Sequence, residues 1–192
     1  MDKELKLPTT EVQIPEGLNL ITLGAGCFWC IEAVFQRLNG VEKVVSGYSG
    51  GFVTQPSYRE ICTGTTGHAE VIQVYYNPSI IDLSSLLEVF WATHDPTTLN
   101  RQGADAGPQY RSAIFYHTAE QEKLANKLKT ELNDSKVFDS AIVTEISAFT
   151  NFYPAESNHQ DFYNQNQGQP YCQFVIKPKV DKLKKFFAER LK

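Results

Sequence analysis

Cys27 and Cys30 stand three residues apart in LGAGCFWCIEA (residues 23–33), with Phe28 and Trp29 between them. Two thiols at this spacing can form a redox pair, supply half of a zinc site, or sit as small residues in a core. A structural zinc site needs four ligands, commonly from two paired motifs. Here there is one Cys-x-x-Cys, while Cys62, Cys172 and four histidines are dispersed, so no metal is expected. A thioredoxin-type oxidoreductase would also carry Cys-x-x-Cys at a helix start, though two bulky aromatics between the thiols are unusual for it. It stands as the alternative, together with the reading of two core cysteines.

The elements that must hold these thiols can be read locally. Residues 19–23 form a short strand that runs into Gly24–Ala25–Gly26, and Phe28, Ile31, Val34, Phe35 and Leu38 then recur at helical spacing, with Gly40 beyond them. Cys27 is thus placed at a helix N-terminus, where the dipole and free N–H groups would lower a thiol pKa. Strands are expected at 41–48, 69–77, 112–117 and 141–149. Helices are expected at 82–95 with Asp82 as cap, at 119–132 behind a Thr118/Gln121 capping box, and at the terminus from 181 to 191. Two long connections, 47–68 and 94–111, are of a length that usually carries function. Without strict βαβ alternation, the expected class is α+β with a mixed sheet.

The 192 residues carry 42% hydrophobic and 21% charged side chains, a soluble globular composition. A single domain is expected, with 1–18 as an N-terminal extension and 177–192 as a C-terminal helix. The net charge of -4 gives no pull toward nucleic acid, and no apolar run is long enough to span a bilayer. The N-terminus lacks a secretory h-region, and four scattered cysteines are no disulfide scaffold, so a cytoplasmic location is expected.

Five blocks then carry a resemblance: GCFWC, SGYSGG, SYREICTGTTGHAEVIQV, HDPTTLNRQGADAGPQYRSAIF and TEISAFTNFYPAESNHQDFY. In order and spacing, from about residue 19 to about 176, they resemble the A-type peptide methionine sulfoxide reductases. The resemblance implies an α+β two-layer roll with a ferredoxin-like core. It also implies thiol-dependent reduction of methionine-S-sulfoxide, free or in proteins.

Reducing a sulfoxide needs a soft nucleophile at sulfur, an acid for the oxygen and a pocket for the methyl group. By the resemblance, Cys27 is the nucleophile and becomes a sulfenic acid, Glu70 is the proton donor, and Tyr58 and Tyr110 bond the sulfoxide oxygen. Phe28 and Trp29 form the methyl pocket, Asp105 contacts the substrate backbone amide, and His159 lies nearby in support. Glu70 could serve near neutral pH only if apolar surroundings raise its pKa. Cys30 is preferred as the resolving thiol, with Cys172 on a mobile C-terminal tail as alternative or relay. Cys62 reads as a small buried residue. The reductant implied is an external thiol, thioredoxin or dithiothreitol, with no metal or organic cofactor and a monomeric chain.

Overall fold

The structure, a computed structural model, describes residues 7–192; the first six residues of the expected N-terminal extension lie outside this range. Its centre is a six-stranded sheet built from β1 (Asn19–Ala25), β2 (Val41–Ser49), β3 (Ala69–Tyr76), β6 (Ser112–Tyr116), β7 (Glu145–Ala148) and β8 (Phe152–Pro154). The strands lie in the order β7-β6-β1-β3-β2-β8. Only the β6–β7 pair is parallel; β1 pairs antiparallel with both β3 and β6, and β2 with both β3 and β8. The sheet is mixed, in an α+β chain, as the element order predicted.

Two connections cross one face of this sheet. Helix α1 (Phe28–Phe35) links β1 to β2, and α3 (Leu83–Ala92) follows β3, while a short α2 (Tyr58–Cys62) sits in the loop between β2 and β3. The main core gathers Ile21, Leu23, Ile72 and Val74 of the strands with Phe28, Ile31, Phe35, Leu86 and Phe90 of the helices. A smaller cluster of Ala69, Val71, Ala113, Phe115 and Phe152 packs on the opposite face. Along β3 the side chains alternate between these clusters. Glu70 has the parity of Ile72 and Val74, and that parity aims it at α1.

Several expected boundaries move. Helix α1 ends at Phe35, and the chain turns through tighter bonds from Arg37 and Leu38 before Gly40 at φ +89. The strand expected at 141–149 is ordered as β7 only over Glu145–Ala148. Helix α4 runs Ala119–Ser135, longer than expected, with Thr118 accepting from the Gln121 N–H as the capping pattern predicted. After α5 (Phe162–Gln165), the C-terminal α6 (Lys177–Phe186) begins at the start of the expected 177–192 helix and four residues ahead of the amphipathic stretch from 181, with a π turn, Cys172–Ile176, winding directly into it. It also stops short of the expected end, giving way to a 3-10 turn at Ala188–Arg190. Residues 8–10 of the extension lie along 150–152: Pro8 O accepts from Asn151 Nδ2 at 2.9 Å, and Thr10 N donates to Thr150 O at 2.8 Å.

Candidate active site

Cys27 sits between the end of β1 and the first turn of α1, 8% exposed. Gly26 makes the turn possible with φ +84, a left-handed conformation costly for other residues. The helix N-terminus does not hold the Cys27 sulfur: its side chain makes no cap bond, and the Phe28 N–H donates to Glu70 Oε2 at 3.0 Å. The expected lowering of the Cys27 pKa is therefore not found. Burial, a hydrogen bond to Cys30 and the nearby Glu70 carboxyl all push the thiol up. Cys30 has the opposite bias. The bond it receives from Cys27 outweighs burial and, with Lys179 nearby, brings it to about 7.

Glu70 is 1% exposed, and burial raises its pKa to about 8, the Phe28 N–H bond opposing only part of that shift. The carboxyl is thus held neutral at pH 7 beside a thiol, the condition required of a proton donor. Directly across the strand pair from it lies Tyr48, also buried. Tyr58 and Tyr110 both lie close enough to Glu70 for its charge to raise their hydroxyl pKa values, after burial.

The aromatic residues line one wall. Phe28 is wholly buried, with Tyr58 parallel to it at 6.5 Å and Tyr48 tilted at 5.8 Å. Trp29 is the half-open member of the pair, its ring stacked on Phe162 at 3.7 Å and 8°. Its indole N–H donates to His159 Nδ1 at 3.2 Å, which leaves the His159 proton on Nε2. His159 in turn lies 4.3 Å from the Tyr58 ring, and burial lowers its pKa, so it is neutral at pH 7. Asp105 projects from a two-residue ribbon, β4 (Arg101–Gln102) against β5 (Asp105–Ala106), and accepts from Tyr171 Oη at 2.8 Å.

A buried thiol beside a protonated carboxylic acid, in an aromatic pocket rimmed by tyrosines, suits transfer of an oxygen atom to sulfur. The family model for peptide methionine sulfoxide reductase matches residues 19–191. The chain belongs to this family. A peptide methionine sulfoxide reductase MsrA of Chromobacterium violaceum is 52% identical over 169 residues, 88% of this chain and 96% of that protein. Another, of Saccharolobus solfataricus, is 50% identical over 175 residues, 91% of this chain and 98% of its own. Among solved structures, reduced Mxr1 from Saccharomyces cerevisiae superposes with a TM-score of 0.76 at 35% identity, over 87% of this chain and 96% of that one. Mxr1 in complex with Trx2 superposes at 0.54 with 29% identity, over 83% and 94% of the two chains. The protein is an oxidoreductase that reduces methionine sulfoxide.

Two expectations about the reductase's other cysteines are overturned. Cys62 is exposed, because α2 is a single turn on the surface whose Tyr58 and Ile61 face the protein while Cys62 does not. Cys172 is fully buried in the π turn against the main core, not on a mobile tail. All four cysteines are free thiols. Among the described residues no cluster of three His, Cys, Asp or Glu side chains could hold a metal, and no helix is long and apolar enough to cross a membrane.

The positioning residues had no sequence signal. Glu156 accepts from Tyr58 N at 2.7 Å and Tyr48 Oη at 2.9 Å, fixing the start of α2 over the pocket. Glu32, on α1, accepts from Asp161 N and Phe162 N and so sets Phe162 under Trp29. Arg111 donates to Gly67 O at 3.1 Å, Pro108 O at 3.0 Å and Glu145 at 2.8 Å, tying the Tyr110 segment to the one leading into Glu70. His68 accepts from Gly51 N and donates to Val53 O, closing the loop ahead of Glu70.

Proposed function

We propose that the reductase works through Cys27 and Glu70 on the S epimer of methionine sulfoxide, free or in proteins. Glu70 protonates the sulfoxide oxygen while the Cys27 sulfur bonds to the substrate sulfur; the oxygen then passes from the substrate sulfur to Cys27 as the bond between the two sulfurs breaks and the thioether leaves. The oxygen ends on Cys27 as a sulfenic acid, and the Cys27 thiol proton restores the Glu70 acid. Tyr58 and Tyr110 hydrogen-bond the sulfoxide oxygen, Phe28 and Trp29 receive the methyl group, and Asp105 takes the substrate amide. His159 supports Trp29 through its ring nitrogen.

Cys30 then attacks Cys27, forming the disulfide and releasing water, and an external dithiol of the thioredoxin type reduces it. Its place one helical turn from Cys27 supports Cys30 as first resolver, with Cys172 behind it as a relay. No metal or organic cofactor takes part in this scheme. The disulfide partner agrees with the Trx2 bound to the Mxr1 relative. We read the chain as one domain, a monomer, and cytoplasmic, where free thiols persist.

The observation that carries the reading is the Glu70 carboxyl, neutral at pH 7 and bonded to the Phe28 N–H at the Cys27 site. The test is turnover of resolved sulfoxide epimers with dithiothreitol by the wild type, Cys27→Ser and Glu70→Gln. The S epimer alone should be reduced; Cys27→Ser should be inactive, and Glu70→Gln should lose about 10²–10⁴-fold of the activity. Equal turnover of both epimers, or full activity in Cys27→Ser, refutes the reading. Disulfide exchange that is indifferent to Glu70→Gln would favour a general dithiol oxidoreductase instead.

A further inference from the structure

Tyr171 immediately precedes Cys172 and takes no part in the scheme above, yet it touches Cys30, Asp105 and Trp29 of that scheme and lies against Cys27 as well. Its hydroxyl donates its only hydrogen to Asp105 Oδ2 at 2.8 Å. With that hydrogen on Asp105, the same oxygen has a lone pair free to accept from the Cys30 thiol, whose Sγ lies 3.8 Å away. The ring stands edge-on to Trp29 at 5.7 Å and 81°, which holds the hydroxyl at this point. The directions of the bonds thus run one way, from the Cys30 S–H through Tyr171 to the Asp105 carboxylate.

We propose that Tyr171 is a catalytic residue of the resolving half-reaction, passing the Cys30 proton to Asp105 as Cys30 attacks the Cys27 sulfenic acid. The inference rests on the proposed role of Cys30 and adds to it the base that Cys30 requires. In the resting enzyme the Cys27 S–H supports negative charge on Cys30. Oxidation to the sulfenic acid removes that S–H, while burial of Cys30, 1% exposed, continues to favour the neutral thiol. A route for its proton is needed at that moment. Asp105 becomes free at the same stage, because the methionine whose amide it held has departed.

The step balances. The Cys30 S–H proton moves to Tyr171 as the Tyr171 proton moves to Asp105; the Cys30 sulfur bonds to the Cys27 sulfur. The Cys27 S–O bond breaks, and the departing hydroxide takes the Glu70 proton to leave as water. Asp105 and Glu70 then return to their resting states by exchange with solvent. The groups facing Cys30 are Cys27, Glu70, Asp105, Tyr171, Lys179 and Cys172. Of these, Tyr171 alone offers both a lone pair to the thiol and a hydrogen to a carboxylate.

The test is a single turnover of Tyr171→Phe with methionine sulfoxide and no reductant, following methionine release and sulfenic acid separately, the latter by trapping with a 1,3-dione. Loss of one oxygen from a half-buried ring should leave the fold intact, and methionine release reports on that directly. The variant should slow disulfide closure about tenfold or more beyond any slowing of methionine release at pH 6–7. Closure should recover toward the wild-type rate as pH approaches 9, when solvent removes the Cys30 proton. Asp105→Asn should reproduce the slow closure.

Closure at the wild-type rate in Tyr171→Phe, slow closure that no increase in pH restores, or a Cys27–Cys172 bond as the only wild-type product overturns the proposal. Absence of methionine release in the wild type would instead refute the proposed function, so the two failures are distinct.

Discussion

The Phe28 N–H donates to Glu70 Oε2 at 3.0 Å, and this bond joins the first turn of α1 to the second residue of β3. Phe28 is the first residue of the helix, and Glu70 takes its N–H, one of the free donors at that end. The bond aligns the Glu70 carboxyl at the Cys27 site, where burial keeps Cys27 a neutral thiol.

Glu70→Gln should lower kcat/KM by about 10²–10⁴-fold, the usual weight of a positioned acid. In the wild type, kcat/KM should fall as pH rises through about 8, where the Glu70 acid form is lost. A pH–rate profile measures both, and an alkaline limb that persists unchanged in a partly active Gln variant would assign that limb to another group.

The same substitution should raise stability at alkaline pH. Glu70 titrates near 8 when folded and near 4.5 when unfolded. Between those values the native state holds the extra proton, so stability falls as pH rises through this window and levels off above it. Each pH unit between the two pKa values is worth about 1.4 kcal/mol, which makes the total a few kcal/mol. Gln carries no such charge. Urea melts at pH 5 and pH 9 should show a loss in the wild type that Glu70→Gln lacks.

Glu156→Ala should reduce kcat roughly 10-fold or more without touching the reacting atoms, because Tyr58 N and Tyr48 Oη lose their shared acceptor and α2 shifts over the pocket. Glu156→Gln keeps an acceptor oxygen and should recover most of the activity. Failure of Gln to recover more than Ala would point to charge instead of position.

Gly26→Ala should destabilise the chain by about 1–3 kcal/mol, the ordinary cost of a non-glycine residue forced into this region. A Cβ there would come within 2.6 Å of Gln102 Cβ, and Gln102 both pairs with Asp105 and bonds Asp95. Denaturant melts should register the strain. A raised KM for amide-bearing sulfoxides should register displacement of Asp105, while dimethyl sulfoxide, which has no amide, should be less affected.

Cys30→Ser should still release one methionine per chain in a single turnover but lose most turnover with thioredoxin. A non-reducing peptide map of the wild type after one equivalent of sulfoxide should show Cys27–Cys30. Detection of Cys27–Cys172 alone would move the resolver to the π turn.

The sequence determined the local framework and the chemistry it could carry. Strand parity along AEVIQVYY puts Glu70 on the face of Ile72 and Val74, and helical spacing after Cys27 puts α1 beside it. The Asp82 and Thr118 caps formed as their types predicted. Periodicity and capping act over a few residues, so a reader of the chain can follow them. The tertiary structure decided the rest: the Phe28–Glu70 bond spans 42 residues, the Tyr171–Asp105 bond 66, and the Tyr171–Cys30 contact 141. It also decided that Cys62 faces solvent while Cys172 is buried, and that Cys27 is held neutral. Desolvation and hydrogen-bond direction depend on which elements pack together, and no local pattern of residue types encodes either one.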